Sequence, residues 1–264
     1  MITGTTRLYA IVADPITQVR TPEVLNNFFA ANGHDGVLVP MHVAANDLAD
    51  VVNGLRHMKN LGGFIVTVPH KTALAALCDE LGGAARSVGA VNAVRREADG
   101  RLVGEMFDGT GFVSGLKSQG HDPAGKRVLL LGSGGAAGAI AYALAQAGVG
   151  HLTIANRTLS KAHAIISKVQ AHFPDARLDA AAADPAGFDM VVNATSLGMR
   201  EDDALPIDTQ LLQPHQVVAE IIMKPEFTAL LQQAQQRGCT IHMGRHMLDQ
   251  QARLMAEFMH GSAF

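Results

Sequence analysis

Two α/β domains, each a largely parallel sheet covered by helices, are what this sequence predicts, and three observations predict them. Short apolar runs alternate with helical patterns as far as Phe107, the arrangement of strands joined by covering helices. A polar stretch bearing glycine and proline, Gly120-His-Asp-Pro-Ala-Gly125, then reads as a boundary. Beyond it, Arg127-Val-Leu-Leu-Leu-Gly-Ser-Gly-Gly-Ala-Ala-Gly138 places a buried strand, a glycine turn and a helix in immediate succession.

Taken in order, Leu8–Ala13 is a short apolar strand, and Pro22–Ala31 a helix with Thr21 as its cap and Pro22 at its first position. Val37–His42 is a second strand. Asn46–Leu61 reads as a helix, with Leu48, Val51, Val52, Leu55 and Met58 on one face. Gly63–Val68 is a strand ended by Pro69, Thr72–Leu81 a helix, and the strands Ala90–Arg95 and Leu102–Met106 flank a turn at Asp99-Gly100. A helix over Gly109–Gln119 leads to the boundary. After it come strands at Val128–Leu131, Leu152–Ala155, Met190–Asn193, Val217–Glu220 and Thr240–Met243, with helices at Ala136–Ala147, Leu159–Phe173 and Phe227–Arg237. The last helix, Met247–His260, is amphipathic and long enough to cross back to the first domain. The expected division is therefore residues 1–107, completed by a C-terminal helix over 245–264, and residues 108–244.

Composition excludes several classes of function. The chain has 264 residues, 48% of them hydrophobic and 17% charged, with a formal net charge of −3, so no basic surface argues for nucleic acid. The opening apolar run is too short for a signal peptide and no stretch approaches membrane-spanning length, which makes the cytoplasm the expected compartment. Cys78 and Cys239 fit neither a disulfide framework nor a Cys-x-x-Cys motif and read as structural thiols. His242 and His246 share no unbroken helix face because Gly244 intervenes, and no metal is expected.

The glycine turn carries the first chemistry. Gly132, Ser133, Gly134, Gly135 and Ala136 lie where the backbone can approach a pyrophosphate closely and where free amides and the positive end of a helix dipole attract its charge. The third position of the usual glycine spacing is Ala137, with Gly138 just after it. The following strand ends in Asn156-Arg157-Thr158, an amide and a guanidinium where an NAD site usually carries an acid, with Lys161 one helical turn on. This Rossmann-type domain is therefore expected to prefer NADP, with NAD as the alternative cofactor.

Lys71 supplies the second. It follows Pro69 at the end of a strand, where open α/β sheets place ligands, and a lysine whose pKa is moved by its surroundings exchanges a hydroxyl proton as hydride moves. Asp108, at the end of another strand, is a candidate partner. On periodicity alone, Lys71 reads equally as a solvated loop lysine and Asp108 as a helix cap.

These residues belong to a longer pattern. Asp14-Pro-Ile16, Val66-Thr-Val-Pro-His-Lys71, Gly89-Ala-Val-Asn92, Asp108-Gly-Thr-Gly111, Gly132-Ser-Gly-Gly-Ala136, Asn156-Arg-Thr158, Asn193-Ala-Thr-Ser-Leu-Gly-Met199, Lys224-Pro225, and Met247-Leu248 with Gln251 occur in this order, and the chain resembles the shikimate dehydrogenase family over nearly its whole length. The resemblance implies a substrate domain followed by a Rossmann-type NAD(P) domain. It also implies reversible NADP-linked hydride transfer at a ring hydroxyl of a shikimate- or quinate-like acid, the chain being a monomer or homodimer. It assigns catalysis to Lys71 and Asp108, and substrate hydrogen bonds to Thr67, Asn92 and Gln251. Thr195, Ser196, Gly198 and Met199 line the nicotinamide side, and Gly244 completes the cofactor set.

The departures concern the substrate. Where the family usually has Ser-x-Ser-Pro to hold a carboxylate, this chain has Val19-Arg-Thr-Pro22, so one hydroxyl survives as Thr21 and the other is lost to Val19. A missing charge-assisted hydrogen bond is worth about 1.5–3 kcal/mol, roughly ten- to a hundredfold in binding. Ile65, Met106-Phe107, Met223, Glu220 and Arg245 also replace the family's usual asparagine, asparagine-threonine, tyrosine, aspartate and leucine. Arg20 and Arg245 are the guanidinium groups available to take over the anion contact. Two rival readings are a nucleotide- or metabolite-sensing module without turnover, disfavoured by the intact lysine and aspartate, and an NAD-dependent quinate or shikimate dehydrogenase. A methylenetetrahydrofolate dehydrogenase needs a tyrosine near its lysine, and Tyr9 and Tyr142 are both remote from Lys71 in sequence.

Overall fold

The protein, seen in a computed structural model that describes residues 1–261, divides into two compact units. One comprises Met1–Phe107 with the chain from Ala252 onward; the other is Asp108–Gln251. Residues 262–264, the end of the expected C-terminal segment, lie outside the described residues.

The first unit contains β1 (Arg7–Ala13), α1 (Thr21–Ala31), β2 (Gly36–His42), α2 (Leu48–Arg56), β3 (Leu61–Val66), α3 (Lys71–Ala75), β4 (Glu80–Leu81), α4 (Gly83–Val88), β5 (Ala93–Arg96) and β6 (Leu102–Glu105). Its sheet runs β2-β1-β3-β5-β6-β4. β1 is parallel to β2 and β3, and β4 to β6, while β5 is antiparallel to both its neighbours. Every residue of β3 is buried, as a central strand covered on both faces requires. Tyr9, Ile11, Leu25, Phe29 and Leu38 form a core that Met255, Ala256 and Met259 complete from the last helix.

Several elements differ from the sequence expectation, each for a local reason. Thr21 is the first residue of α1 rather than its cap, a place taken by Arg20 without a side-chain hydrogen bond. The helix expected over 46–61 begins as a 3-10 turn and ends at Arg56, so Met58 is exposed and Leu61 already belongs to β3. The helix expected over 72–81 stops at Ala75. Asp79 accepts a hydrogen bond from the Leu102 amide at 2.7 Å and pairs with Arg56, which draws the chain onto the edge of β6 as β4. β4 and α4 carry no periodic signal of their own.

The second unit contains α5 (Asp108–Ser118), β7 (Arg127–Leu131), α6 (Gly135–Gln146), β8 (His151–Ala155), α7 (Leu159–Gln170), β9 (Leu178–Ala181), β10 (Met190–Asn193), β11 (Val217–Glu220), α8 (Ala229–Gln236) and β12 (Thr240–His242). The last helix, α9 (Arg245–His260), starts in this unit and ends in the first. The sheet is parallel throughout, in the order β12-β11-β10-β7-β8-β9. The chain enters at β7, moves outward to β9 and returns to the other side at β10. The connections therefore reverse direction between β7 and β10, and open α/β sheets bind ligands beyond the carboxyl ends at such a point.

Helix α5 is placed by backbone rather than by side chains. A Cβ on Gly109 would lie 1.9 Å from the Ala139 carbonyl oxygen of α6, and one on Gly115 would lie 2.8 Å from the His246 carbonyl oxygen of α9. Gly111 meets Gln251 in the same way, at 2.8 Å from its Cβ. We expect Gly109→Ala to lower the urea midpoint by the equivalent of about 1–3 kcal/mol, the usual cost of overpacking, and more if α6 cannot yield. An unchanged midpoint would contradict this packing.

His242 is a second constraint in the same unit. It is 1% exposed, neither ring nitrogen has a hydrogen-bond partner among the described residues, and the rings of Phe112, His121 and His246 lie 4.9–6.1 Å away. Burial first, then the neighbouring His246 and His121, push its pKa down to about 4. The folded state therefore binds this proton later than the unfolded state, where the pKa is near 6.5, and stability is lost as pH falls from about 6.5 to about 4. His242→Phe should flatten that loss by up to about 3 kcal/mol, measured as the urea midpoint against pH, and leave the midpoint above pH 7 equal or higher.

Candidate active site

The carboxyl ends of β7, β8 and β10 surround a cleft of about 960 Å3, all of it within the second unit. Gly132, Ser133 and Gly134 form one wall, Asn156, Arg157 and Lys161 another, and Ala194–Leu197 a third. The turn is fixed at both sides. The Gly132 amide donates to the Ala155 carbonyl at 2.8 Å, and the Ala194 amide to the Leu131 carbonyl at 2.9 Å. Gly132 has φ +109°, and a Cβ there would lie 2.8 Å from the Ala194 carbonyl oxygen, so this position needs glycine twice over. Gly134 caps α6, and neither Gly134 nor Gly135 has a heavy atom within 4 Å of a would-be Cβ. The backbone at the helix N-terminus is thus open to a phosphate, and Arg157 and Lys161 are exposed cations on the rim.

The residues present fit a dinucleotide carrying an extra phosphate. Open glycine amides suit the pyrophosphate, while the Asn156 side chain donates to the Thr158 carbonyl at 2.9 Å and holds the turn that presents Arg157. Of the cofactor residues expected from sequence, Gly135, Ala136, Thr158, Gly198, Met199 and Gly244 do not line the cleft. Gly244 has a backbone reason instead, since a Cβ there would lie 2.4 Å from the Ile222 carbonyl oxygen. Ala181, Ala182 and Ala183 do line it, from β9 and just beyond, together with Pro206. Small side chains give no chemical signal, so sequence reading passed over them.

The loop after β10, expected from the resemblance to line the nicotinamide, is internally bonded. Asn193 is fully buried and its Oδ1 accepts from the Thr195 amide at 3.1 Å and from the Thr195 hydroxyl at 2.7 Å. Thr195 Oγ1 in turn accepts from the Leu197 amide at 3.0 Å. Asp203, which sequence reading missed, accepts from the Gly198 amide at 2.9 Å and the Arg200 amide at 3.0 Å. These two amides, Arg200 first, hold its carboxyl below the usual range.

Asp108 is 6% exposed at the first turn of α5, and Gln251 Nε2 donates to its Oδ1 at 2.5 Å. An aspartate at a helix start is favoured by the dipole, and the glycines of α5 fix where that start lies. Within the first unit, Lys71 opens α3, and its carbonyl accepts from the Val91 amide at 2.9 Å. The neighbouring His70, 1% exposed, is tied through Nε2 to the Val43 carbonyl at 2.9 Å. Thr67 is half-buried, its amide donating to the Val12 carbonyl at 3.1 Å. Asn92, also 1% exposed, accepts from the Phe107 amide at 2.9 Å, so it supports the residue that precedes Asp108.

Val19 is half-buried and packs with Ile16, Phe107 and Phe258 against the first unit's core, while Thr21 is half-buried at the start of α1. Arg20 lies 3.4 Å from Glu23, with its side chain 70% exposed. Arg245 lies 2.8 Å from Glu226 and is 56% exposed. Each guanidinium thus already faces a carboxylate of its own unit. Both cysteines are free; burial pushes the Cys78 thiol up to about 11 and also raises Cys239, so neither is a ready thiolate. Among the described residues no helix is long and apolar enough to cross a membrane.

Comparison with known proteins agrees with this geometry. Residues 11–94 match the family model of the shikimate dehydrogenase substrate binding domain, and residues 116–199 that of shikimate / quinate 5-dehydrogenase. A relative from Rubrobacter xylanophilus named shikimate dehydrogenase (NADP(+)) is 40% identical over 94% of this chain and 88% of its own length. Two solved structures are also similar. Shikimate 5-dehydrogenase from Listeria monocytogenes, in complex with shikimate and NAD, has a TM-score of 0.92 at 34% identity, covering 100% of this chain and 94% of that one. A 5-ketofructose reductase from a Gluconobacter species, in ligand-free form, has a TM-score of 0.90 at 36% identity, covering 98% and 94%. With both halves of the chain matched in sequence and structure, the protein belongs to the shikimate dehydrogenase family and is an oxidoreductase of that kind.

Proposed function

We propose that the chain catalyses reversible hydride transfer between NADP and a ring hydroxyl of a shikimate- or quinate-like cyclic hydroxy acid. The observation that carries this reading is the cleft beyond β7, β8 and β10, with open glycine amides for a pyrophosphate and Arg157 with Lys161 for a further phosphate. The dinucleotide supplies or takes up the hydride. Lys71 exchanges the hydroxyl proton, and Asp108 is the carboxylate that keeps that proton available. Each unit prepares its own residue: Lys71 at the start of α3 behind the buried His70, and Asp108 at the start of α5 with Gln251 on its carboxylate. Thr67, Asn92 and Gln251 hold substrate hydroxyls, and Thr21 keeps one hydroxyl for the acid group. The substrate domain is residues 1–107 with the end of α9, the dinucleotide domain the intervening chain, and the cytoplasm the compartment.

A second reading keeps the chemistry and changes the substrate to a polyhydroxy ketone without a carboxylate. Val19 turns an apolar side chain into the cluster with Phe107 and Phe258, and Arg20 and Arg245 each face a carboxylate already. The similarity to a 5-ketofructose reductase points the same way.

Lys71→Ala and Asp108→Ala should each lower kcat by about 10²–10⁴ while NADP binding, followed by calorimetry, stays within about twofold. Full turnover in either variant sinks the assignment. Arg157→Ala should raise KM for NADP by roughly ten- to a hundredfold and leave KM for NAD nearly unchanged; an equal rise for both would show that Arg157 does not read the extra phosphate. The two substrate readings separate in a steady-state panel of shikimate, quinate and neutral polyhydroxy ketones. If the second holds, Val19→Ser lowers KM for shikimate by about tenfold, and an unchanged KM counts against it.

A further inference from the structure

We propose that Glu220 is a positioning residue for the loop Asn193–Gly198, which it orients through the side-chain amide of Asn193. The inference rests on reading the cleft beyond β7 as the dinucleotide site, because Ala194, Thr195, Ser196 and Leu197 line that cleft. Glu220 itself is not among the lining residues.

The geometry is a relay of oriented hydrogen bonds. Glu220 ends β11 and is fully buried, beside Asn193 in the register of β10. Its Oε1 accepts from Asn193 Nδ2 at 2.8 Å and from the Thr228 hydroxyl at 3.1 Å, where Thr228 caps α8. Asn193 Nδ2 also donates to the Leu197 carbonyl at 3.0 Å. With both of its donors facing acceptors, the amide has only one productive orientation, the one in which Oδ1 faces Thr195. Turned over, Asn193 would set its oxygen against the Glu220 carboxylate and the Leu197 carbonyl, and Thr195 would lose its acceptor. Glu220 thus decides the direction of a bond network that ends in the cleft wall.

The same carboxyl makes the loop responsive to pH. Burial is the largest influence and pushes its pKa up to about 7, against the donors on Asn193, Thr228 and the backbone at Ile222 and Ile221. Its second oxygen is buried without a hydrogen-bond partner among the described residues. Once ionised, the carboxylate accepts charge-assisted bonds roughly twice as strong as neutral ones, so Asn193 is held more firmly above neutral pH than below it. The neighbouring elements bring few competing charges. β10 and α8 contribute Asn193 and Thr228, and His242 of β12 has a pKa pushed down to about 4 and is neutral throughout this range. Lys224 and Glu226, in the segment after β11, are exposed, and Glu226 is paired with Arg245 at 2.8 Å. His246, at the start of α9, has a lowered pKa, chiefly by burial. Asp203, on the loop's far side, is held ionised by backbone amides.

The test is NADP binding by isothermal titration calorimetry from pH 5.5 to 8.5 on the full chain and on Glu220→Gln. Glutamine keeps the shape and an acceptor but cannot ionise. Titration of the cofactor's own phosphate is common to both proteins and cancels in the ratio of their Kd values. That ratio, variant over wild type, should rise about three- to tenfold across pH 7; a ratio that stays flat overturns the proposal. Glu220→Asp keeps the charge but is one methylene shorter, which draws the carboxylate back from Asn193 and Thr228. It should bind NADP roughly tenfold more weakly at pH 8, and wild-type affinity there overturns the proposal even if the glutamine variant fails to fold. Absence of NADP binding by the wild-type chain would instead bring down the dinucleotide reading itself.

Discussion

The second unit depends on how closely two backbones pass each other at the head of β7. Gly132 turns away from the strand at φ +109° while the Ala194 carbonyl lies where its side chain would be. That approach brings the start of α6 and the loop after β10 to opposite sides of one crevice. A parallel sheet whose connections reverse direction between β7 and β10 leaves the crevice open, because no helix covers the strand ends there. The glycine turn is therefore both a contact surface and the hinge point of the topology, and neither role tolerates a Cβ.

Around this opening the protein spends its buried polar groups unevenly. Asn193, Thr228 and Glu220 are all buried, and Asn193 and Thr228 both donate to Glu220, which gives the loop beyond β10 a defined direction. A partly satisfied network of this kind is costly as a stabilising device, and among the described residues Glu220 Oε2 and both nitrogens of His242 lack partners. The two costs run in opposite directions over nearly the same pH range. His242 resists taking up a proton as pH falls below about 6.5, whereas Glu220 resists losing one as pH rises from about 4.5 to about 7. The folded unit is consequently penalised by its carboxyl toward the top of this range, near neutral pH, and by its imidazole toward the bottom.

Much of the fold and of the cofactor end was legible because its signals are chemical or periodic. The run Val128–Leu131, the glycines after it, and Arg157 after the next strand all report a physical requirement in their residue types. β9 carried no such signal: Leu178-Asp-Ala-Ala181 is a short edge strand of mostly small residues, yet it and the alanines just after it wall the cleft. β4 and α4 were hidden for another reason, since Asp79 and its partners override a helical pattern through contacts remote in sequence. Glu220 could be seen as an unusual residue, but its burial and its bond to Asn193 required the register of β10 with β11. The pairing of Arg20 with Glu23 and of Arg245 with Glu226 likewise depends on side-chain direction, which no spacing rule supplies.

The glycine face of α5 separates what can vary in this enzyme from what cannot. Asp108 is located by glycines pressed against the backbones of α6 and α9, so there is no side chain at those contacts to exchange for another of similar size. The cluster around Val19, Phe107 and Phe258 is made of partly buried side chains rather than of backbone contacts. On the proposed placement of Val19 beside the substrate, point mutation has ready access to the choice of substrate and little to the seat of the aspartate. On that reading a lineage can drift from one hydroxylated compound to another while the reaction performed on it stays the same.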